Sequence, residues 1–293
     1  MQYTPHTLLV RSQDSGKSGV FTRVRPEDAG WEHLNMAALR LGKGERYAGE
    51  TGEHEHVSVI LGGVCHFRTS AGEYLRIGRR PNVFSGMPYA VYLPRRTHFE
   101  IEALSETLEI ASCWVATDQD HAPKLVTPRD CPIELRGGGN MSRQITSIVP
   151  PGFPCHRIVA VEVYTPSGNW SSYPPHKHDV HRVDESGKLV EADLEEIYFY
   201  KFHPSNGYAY QRIYTDDRRI DAVVMPQNND AVLVPEGYHP VVSAGGITTY
   251  YLNFLAGSAQ SLANSDDPAF AWVKGTWTSM DPRLPYVHLG MEG

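Results

Sequence analysis

Tyr173-Pro-Pro-His-Lys-His-Asp179 places two histidines one residue apart, His176 and His178, at the start of what reads as a strand. Side chains alternate across a strand, so positions i and i+2 point to the same face. Both imidazoles can therefore reach one cation without bending the backbone. Two ligands do not close a metal site, which usually needs at least three from the protein. Which other segments arrive at the same place decides what this chain folds into.

Downstream, Leu194-Glu-Glu-Ile-Tyr-Phe-Tyr-Lys-Phe202 is mostly aromatic from Ile197 onward and reads as an interior strand. The polar stretch before it, Val180 to Asp193, reads as an inserted loop. Glu196 shares a face with Tyr198, Tyr200 and Phe202, whereas Glu195 shares one with Ile197, Phe199 and Lys201. One of the two acids must face inward if the strand alternates, and a buried carboxylate is costly unless it is paired or bound to a cation. An exposed strand end with both acids solvated is the plain alternative. A further candidate is His239, which Pro235-Glu-Gly-Tyr-His239 delivers through a tight turn to the start of the next strand. Three imidazoles and one carboxylate suit a borderline divalent ion such as Zn, Mn, Fe, Ni or Co. Such a set leaves coordination positions for water or substrate oxygens, as catalytic metals need.

The rest of the chain reads the same way. Gly (26) and Pro (21) are spread along the 293 residues and long helical periodicity is absent. Short apolar runs such as Val57-Ser-Val-Ile-Leu61, Ile158-Val-Ala-Val-Glu-Val-Tyr164 and Thr248-Thr-Tyr-Tyr-Leu-Asn-Phe254 are bounded by turn formers, which predicts an all-β sandwich or barrel. Short helices are expected only around Pro26-Glu-Asp-Ala-Gly30 and Ser258-Ala-Gln-Ser-Leu262. Each half runs H-x-H, strands, then P-x-x-x-H: His54 and His56 with Pro94 to His98, then His176 and His178 with Pro235 to His239. Two copies of one order predict a duplicated barrel. The first would span 1–130, a linker 131–154 would centre on Arg136-Gly-Gly-Gly-Asn140, and the second would span 155–293. The tail after Gly257, with Trp272, Trp277 and Asp281-Pro-Arg-Leu-Pro285, carries too many large apolar groups for a free end and should pack onto a barrel or a partner subunit.

Composition narrows the function classes. A formal net charge of −7 argues against a nucleic-acid partner and against anionic membranes. The start Met1-Gln-Tyr-Thr-Pro-His lacks the basic segment and apolar run of a signal peptide, and no apolar stretch nears the ~20 residues that span a bilayer. Cys65, Cys113, Cys131 and Cys155 show no C-x-x-C spacing and are expected to be reduced, buried thiols in a cytoplasmic protein.

The order H-x-H … E … G … P-x-G-x-H resembles the cupin signature. Arg136-Gly-Gly-Gly-Asn140 with Arg143, the run from Tyr164 to Asp179, Leu194-Glu-Glu-Ile-Tyr-Phe-Tyr200, Gly207-Tyr-Ala-Tyr-Gln-Arg-Ile-Tyr-Thr-Asp-Asp217 and Tyr238-His-Pro240 resemble the 5-deoxy-glucuronate isomerase family of myo-inositol breakdown. The likeness covers the second half and the linker closely and the first 130 residues more loosely. It implies a bicupin, two jelly-roll barrels, related to the ketol-isomerases of unsaturated uronate catabolism. It also implies Glu196 rather than Glu195 as the ligand beside His176, His178 and His239. The implied reaction turns the aldehyde 5-deoxy-D-glucuronate into the ketone 5-dehydro-2-deoxy-D-gluconate with one divalent metal.

That chemistry needs a proton-moving group, for which Tyr198, Tyr200, Tyr210 and Tyr251 are on offer. It needs a cation for the substrate carboxylate, and Arg212 is the first choice, with Gln211, Lys201 and Asn253 as further substrate contacts. Alternation allows at most one of Gln211 and Arg212 to face the pocket. The first-half histidines lack a glutamate at cupin spacing, where Ile60 and Leu61 stand, so that barrel is expected to be degenerate and structural. An iron-dependent dioxygenase and a non-catalytic sugar-acid-binding cupin are the competing functions. Free sheet edges make a homodimer or a larger homo-oligomer the expected assembly.

Overall fold

Short β-branched and aromatic runs between Gly, Pro and Asx turns give strands throughout. The computed structural model describes residues 2–291. Among them the only α-helices are single turns, Pro5–Leu8 and Pro26–Ala29. The second ends at Gly30, whose φ of +74° suits a residue without a Cβ. No helix forms at Ser258–Leu262, because its polar side chains are engaged elsewhere. Ser258 Oγ accepts from Asp193 N at 3.0 Å, and Gln260 Nε2 donates to Phe153 O at 2.9 Å.

Each half is centred on a large antiparallel sheet, and five successive strands of the two sheets correspond in order while their edges differ. In the first it runs Lys124–Val126, Tyr89–Leu93, His54–Gly62, Thr107–Ala116, Asn35–Gly42, Gly19–Val24. In the second it runs Leu9–Val10, Ala231–Val234, Leu189–His203, Thr248–Gly257, Val159–Thr165, Arg143–Val149, Ile133–Arg136. Each large sheet is joined by a four-stranded one: Arg46–Glu50, His98–Ala103, Cys65–Thr69 and Gly72–Ile77 in the first half, Trp170–Ser171, Val241–Ser243, Ala209–Tyr214 and Asp221–Val224 in the second. The fold is an all-β bicupin.

The two large sheets meet back to back. Val57, Val59, Ala111 and Cys113 of the first half share one buried cluster with Ile197, Phe199, Leu252 and Phe254 of the second. The opposite face of the first sheet, with Ile60, Val91 and Ile110, closes on Phe67 and Ile101 in a core of its own. Reciprocal clasps tie the halves together. Glu55 accepts from the backbone N–H groups of His156, Arg157 and Ile158 at 2.7, 2.7 and 3.0 Å. Glu195 likewise accepts from Glu32, His33 and Leu34 at 2.6, 2.9 and 2.8 Å.

Three segments depart from the sequence reading. The stretch 131–154 is not a free linker: Ile133–Arg136 and Arg143–Val149 are ladder strands of the second sheet, paired from Ile133↔Thr146 to Arg136↔Arg143. The three glycines lie in the turn between them, where Gly137 has φ +95° and a Cβ would collide with Met141 O. The first strand, Leu9–Val10, pairs with Val232 and Ala231, so the N-terminus belongs to the second half's sheet. Finally, Val180 to Asp193 is a hairpin rather than a loop. Asp179–Val183 pairs with the start of Leu189–His203, and Asp184 Oδ1 closes the turn by accepting from Ser186 N and Lys188 N at 2.9 and 3.0 Å. In the tail, Tyr286 stacks on Tyr164 with centroids 5.9 Å apart, and Gln144 Oε1 accepts from Tyr286 N at 2.6 Å.

Candidate metal centre

The strand Leu189–His203 has two faces with different uses. One carries Glu195 and Lys201 toward the first half, where Lys201 Nζ donates to Glu109 Oε2 at 2.7 Å and to Asn229 Oδ1 at 2.8 Å. The other turns Glu196, Tyr198 and Tyr200 into the second sandwich, all buried. Glu195 is occupied by three backbone amides, so Glu196 is the acid that meets the histidines.

The donor atoms of His178, Glu196 and His239 all lie within 4.8 Å of one another. His178 Nδ1 lies 3.1 Å from Leu194 O, and His239 Nδ1 lies 2.9 Å from Gly237 O. A carbonyl only accepts, so both Nδ1 atoms carry hydrogen and both Nε2 atoms present lone pairs when the rings are neutral. Both lone pairs converge on one carboxylate oxygen, Glu196 Oε2, at 3.0 Å from His178 and 3.2 Å from His239. Despite that proximity His239 Nε2, fully buried, has no partner in hydrogen-bond geometry.

Three electron-pair donors facing one point require a proton or a cation between them. With a proton there, Glu196 is held down to about 2: burial opposes its charge, and the contacts with His178 and His239 outweigh burial. Burial likewise works against a charged His178, but Glu196 prevails and moves its pKa up. The set fits a divalent cation on the same grounds: neutral imidazoles pinned by Nδ1–H bonds to carbonyls, plus a carboxylate, are an ordinary ligand arrangement. His176 stands beside the group, with its ring 4.8 Å from that of His239 and 6.4 Å from that of His178. Burial first, then His239, His178 and two nearby arginines, pushes its pKa well below normal, so its nitrogen lone pair stays available.

His176, His178 and Glu196 line a cavity of about 180 Å³, together with Arg143, Ser147, Tyr198, Tyr251 and Asn253, while the fully buried His239 is not part of its wall. That is below the ~300–1,000 Å³ of drug-sized sites and suits a small metabolite. A larger cavity of about 560 Å³ beside Arg79, Arg129 and Leu289 contains none of the histidines.

Residues 8–273 match the model of the KduI/IolB family. The chain belongs to the KduI/IolB family. It is 40% identical to the 5-deoxy-glucuronate isomerase of Geobacillus thermodenitrificans over 91% of this chain and 95% of that one. The crystal structure of an IolB-like protein from Salmonella typhimurium superposes with a TM-score of 0.86 at 34% identity, covering 91% of this chain and 98% of that chain. Oxalate decarboxylase from Bacillus subtilis superposes with a TM-score of 0.59 at 13% identity over 88% and 77%, which shows the shared fold alone.

Within this member of the family, the residues expected around a sugar acid divide sharply. Tyr198, Tyr251 and Asn253 line the cavity. The Tyr198 and Tyr251 rings lie 4.7 Å apart, Tyr251 is hydrogen-bonded to Ser171 Oγ, and Tyr198 Oη sits 3.3 Å from Ser172 Oγ. Burial raises both phenol pKa values, while Arg143 counters it at Tyr251, so each is a proton-bearing group at neutral pH. Tyr200 is turned aside and donates to Gln211 Oε1 at 2.8 Å.

Four expectations fail. Tyr210 is 45% exposed on the outer face of the smaller sheet. Its neighbour Arg212 is also outside, held by Asp221 at 2.8 Å and stacked 4.3 Å over Tyr214. Alternation turned Gln211 inward in its place, yet Gln211 serves Tyr200 and approaches His239 O at 3.5 Å rather than the cavity. Lys201 faces the first half, as it must once Glu196 faces the donors.

Arg143, Arg136, Ser147, Ser172 and Asn264, for which the sequence suggests no role, also line the cavity. The local pattern shows only an arginine on the same face as Ile145 and Ser147 in an otherwise uncharged strand; what that face meets is set by the order of the strands in the sheet.

Proposed function

We propose that this chain is a metal-dependent aldose–ketose isomerase converting 5-deoxy-D-glucuronate to 5-dehydro-2-deoxy-D-gluconate in myo-inositol degradation. The curated relatives that span nearly its whole length carry the name 5-deoxy-glucuronate isomerase. The observation that carries the reading is the unpartnered His239 Nε2, aimed with His178 Nε2 at Glu196 Oε2 beside two neutral tyrosines.

The reaction moves a proton from C2 to C1 while the carbonyl moves from C1 to C2, with no net oxidation. Negative charge builds on the two oxygens, and a divalent ion at this centre supplies the Lewis acidity that stabilises it. We assign His176, His178, Glu196 and His239 as the residues that would hold the ion, which is one of Zn, Mn, Fe, Ni or Co. Tyr251, hydrogen-bonded to Ser171, is assigned as the group that holds and returns the proton at the sugar oxygens, with Tyr198 packed against it. Asn253 Nδ2, buried without a partner, is a donor for a substrate hydroxyl. The wall of Ile145, Val161, Val163 and Leu255 excludes water from that exchange.

Among the described residues no helix is long and apolar enough to cross a membrane. A cytoplasmic setting and a homo-oligomer belong to the same proposal; light scattering tests the second.

The direct test is to incubate metal-loaded protein with 5-deoxy-D-glucuronate under argon and follow the C2 proton by NMR. Exchange of that proton and appearance of the ketone are expected. Turnover that requires O₂ would replace the isomerase by a dioxygenase, and tight binding without turnover would leave a sugar-acid-binding cupin.

A further inference from the structure

Among the described residues two arginines are buried, Arg80 at 2% exposure and Arg143 at 5%, and the protein treats them in opposite ways. Arg80 forks onto Glu162, with Nη1 donating to Oε2 at 3.0 Å, and its Nε and Nη2 donate to Ile60 O at 3.2 and 3.0 Å. Burial disfavours its charge, but Glu162 outweighs burial and the pKa rises. Arg143 has no such counterion. Its Nη1 is buried without a hydrogen-bond partner. Burial leads and Arg136 adds to it, so its pKa moves down. The acid that acts on it, Glu134, is already gripped by Arg136 through two hydrogen bonds of 2.7 and 2.8 Å.

A guanidinium taken out of water costs several kcal/mol unless an anion meets it. Its planar fork fits a carboxylate bidentately. Arg143 lines the same cavity as His178 and Glu196, on the face of its strand that also carries Ile145 and Ser147. The other cations near this part of the fold are committed: Lys177 to Asp179 and Asp216, Lys201 to Glu109, Arg212 to Asp221. A six-carbon sugar acid carries its carbonyl at one end and its carboxylate at the other, so it needs two unlike receptors in one cavity.

We propose that Arg143 is the receptor for the substrate's carboxylate. It thereby sets the direction of binding, with the carboxylate on the guanidinium and the carbonyl end at His178, Glu196 and His239. The identity of the sugar rests on the isomerase reading; the preference for a carboxylate rests on Arg143 itself. Because Arg143 grips the substrate through a group remote from the reacting carbons, its loss acts mainly on KM.

The test compares metal-loaded wild type and Arg143→Gln on 5-deoxy-D-glucuronate and on the same sugar with a primary alcohol in place of the carboxylate. Wild type should favour the acid by about 10²–10³ in kcat/KM, as expected when a bidentate pair of charge-assisted hydrogen bonds is lost with the carboxylate. Arg143→Gln should lose that preference, with kcat/KM for the acid falling by about the same factor and that for the alcohol changing less than about threefold. Arg143→Lys should restore part of the preference, since it keeps the charge and loses the fork. Equal losses on both sugars would make Arg143 a structural residue and overturn the proposal.

Melting curves supply the second readout. The acid should raise the Tm of wild type and leave that of Arg143→Gln unmoved, while ligand-free Arg143→Gln should melt no lower than wild type because no native partner is lost. Wild type stabilised by the acid through Arg143 without turnover keeps the receptor and removes the isomerase reading. Turnover by wild type with Arg143→Gln equally active keeps the isomerase and overturns the receptor.

Discussion

In the first half, the strand His54–Gly62 lies where Leu189–His203 lies in the second, between partners that correspond one to one. His56 pairs across to Leu93 and Trp114, and Glu196 pairs across to Val234 and Leu255. Proline follows both Leu93 and Val234. His56 is therefore the counterpart of Glu196, Ser58 of Tyr198, and Ser112 of Asn253. The two H-x-H pairs are not equivalent at all: His54 and His56 sit on the glutamate's strand, whereas His176 and His178 arrive from a separate segment. The turn histidines also part ways. The side chain of His98 is 72% exposed beside Glu50, while that of His239 is fully buried. Next to it Phe99 lays its ring 5.2 Å from His56, and Trp114 stacks on the other side at 6.0 Å.

What separates the candidate metal centre from the filled core is thus the side-chain set delivered to one backbone scaffold. In the first half the polar atoms satisfy one another, His56 Nε2 with Ser58 Oγ at 2.9 Å and Ser58 Oγ with Ser112 Oγ at 2.8 Å. In the second they are left aimed at a common point.

Replacing donors should break this contrast most strongly. His239→Ala, His178→Ala or Glu196→Gln should reduce bound metal to background by elemental analysis and abolish turnover, whereas His56→Ala should retain the full metal content. Loss of metal from His56→Ala would place the centre in the first half and overturn its assignment to the second. Tyr251→Phe should come next: it keeps metal and substrate binding while lowering kcat by about 10²-fold or more, the usual contribution of a positioned proton donor. An unchanged kcat would shift that role to Tyr198.

The buried Arg80–Glu162 pair makes the complementary point about structure. Glu162→Gln leaves Arg80 unmatched, which should cost about 3–5 kcal/mol in chemical denaturation.

The first-half histidine gives a smaller, pH-dependent effect. Burial, helped by His54, pushes His56 down to about 4, so the folded protein keeps it neutral while the unfolded chain protonates it near 6.5. Stability should then be lost as pH falls from about 6.5 to about 4, by up to about 3 kcal/mol, and stay level below that. In His56→Gln that slope should disappear from urea titrations run across the same range. The smallest effect is expected from Arg212→Gln, whose guanidinium stays outside: KM for the sugar acid should move less than about twofold, within the range of surface changes.

Local rules made much of this visible. Strand alternation put Glu196, Tyr198 and Tyr200 on one face, and the Pro-x-Gly turn delivered His239 to the same end. The same alternation barred Lys201 from the cavity, and it left Gln211 and Arg212 on opposite faces without saying which faced inward. The core took the neutral Gln211, which Tyr200 satisfies, and left the charge outside with Asp221. Arg143 stayed out of view for a different reason. Its place depends on Arg143–Val149 lying beside Val159–Thr165, which in turn lies beside Thr248–Gly257, an order that no local pattern encodes. The expected linker became two strands by a local hairpin, Ile133–Arg136 with Arg143–Val149, whose second strand then joins the sheet beside Val159–Thr165.

The place where a metal binds tests the second-half assignment most directly. An anomalous-scattering map from crystals of the metal-loaded protein should show one peak about 2.0–2.2 Å from His178 Nε2, His239 Nε2 and a Glu196 oxygen, with His176 turned toward it. A peak beside His54 and His56, or none near Glu196, would contradict it.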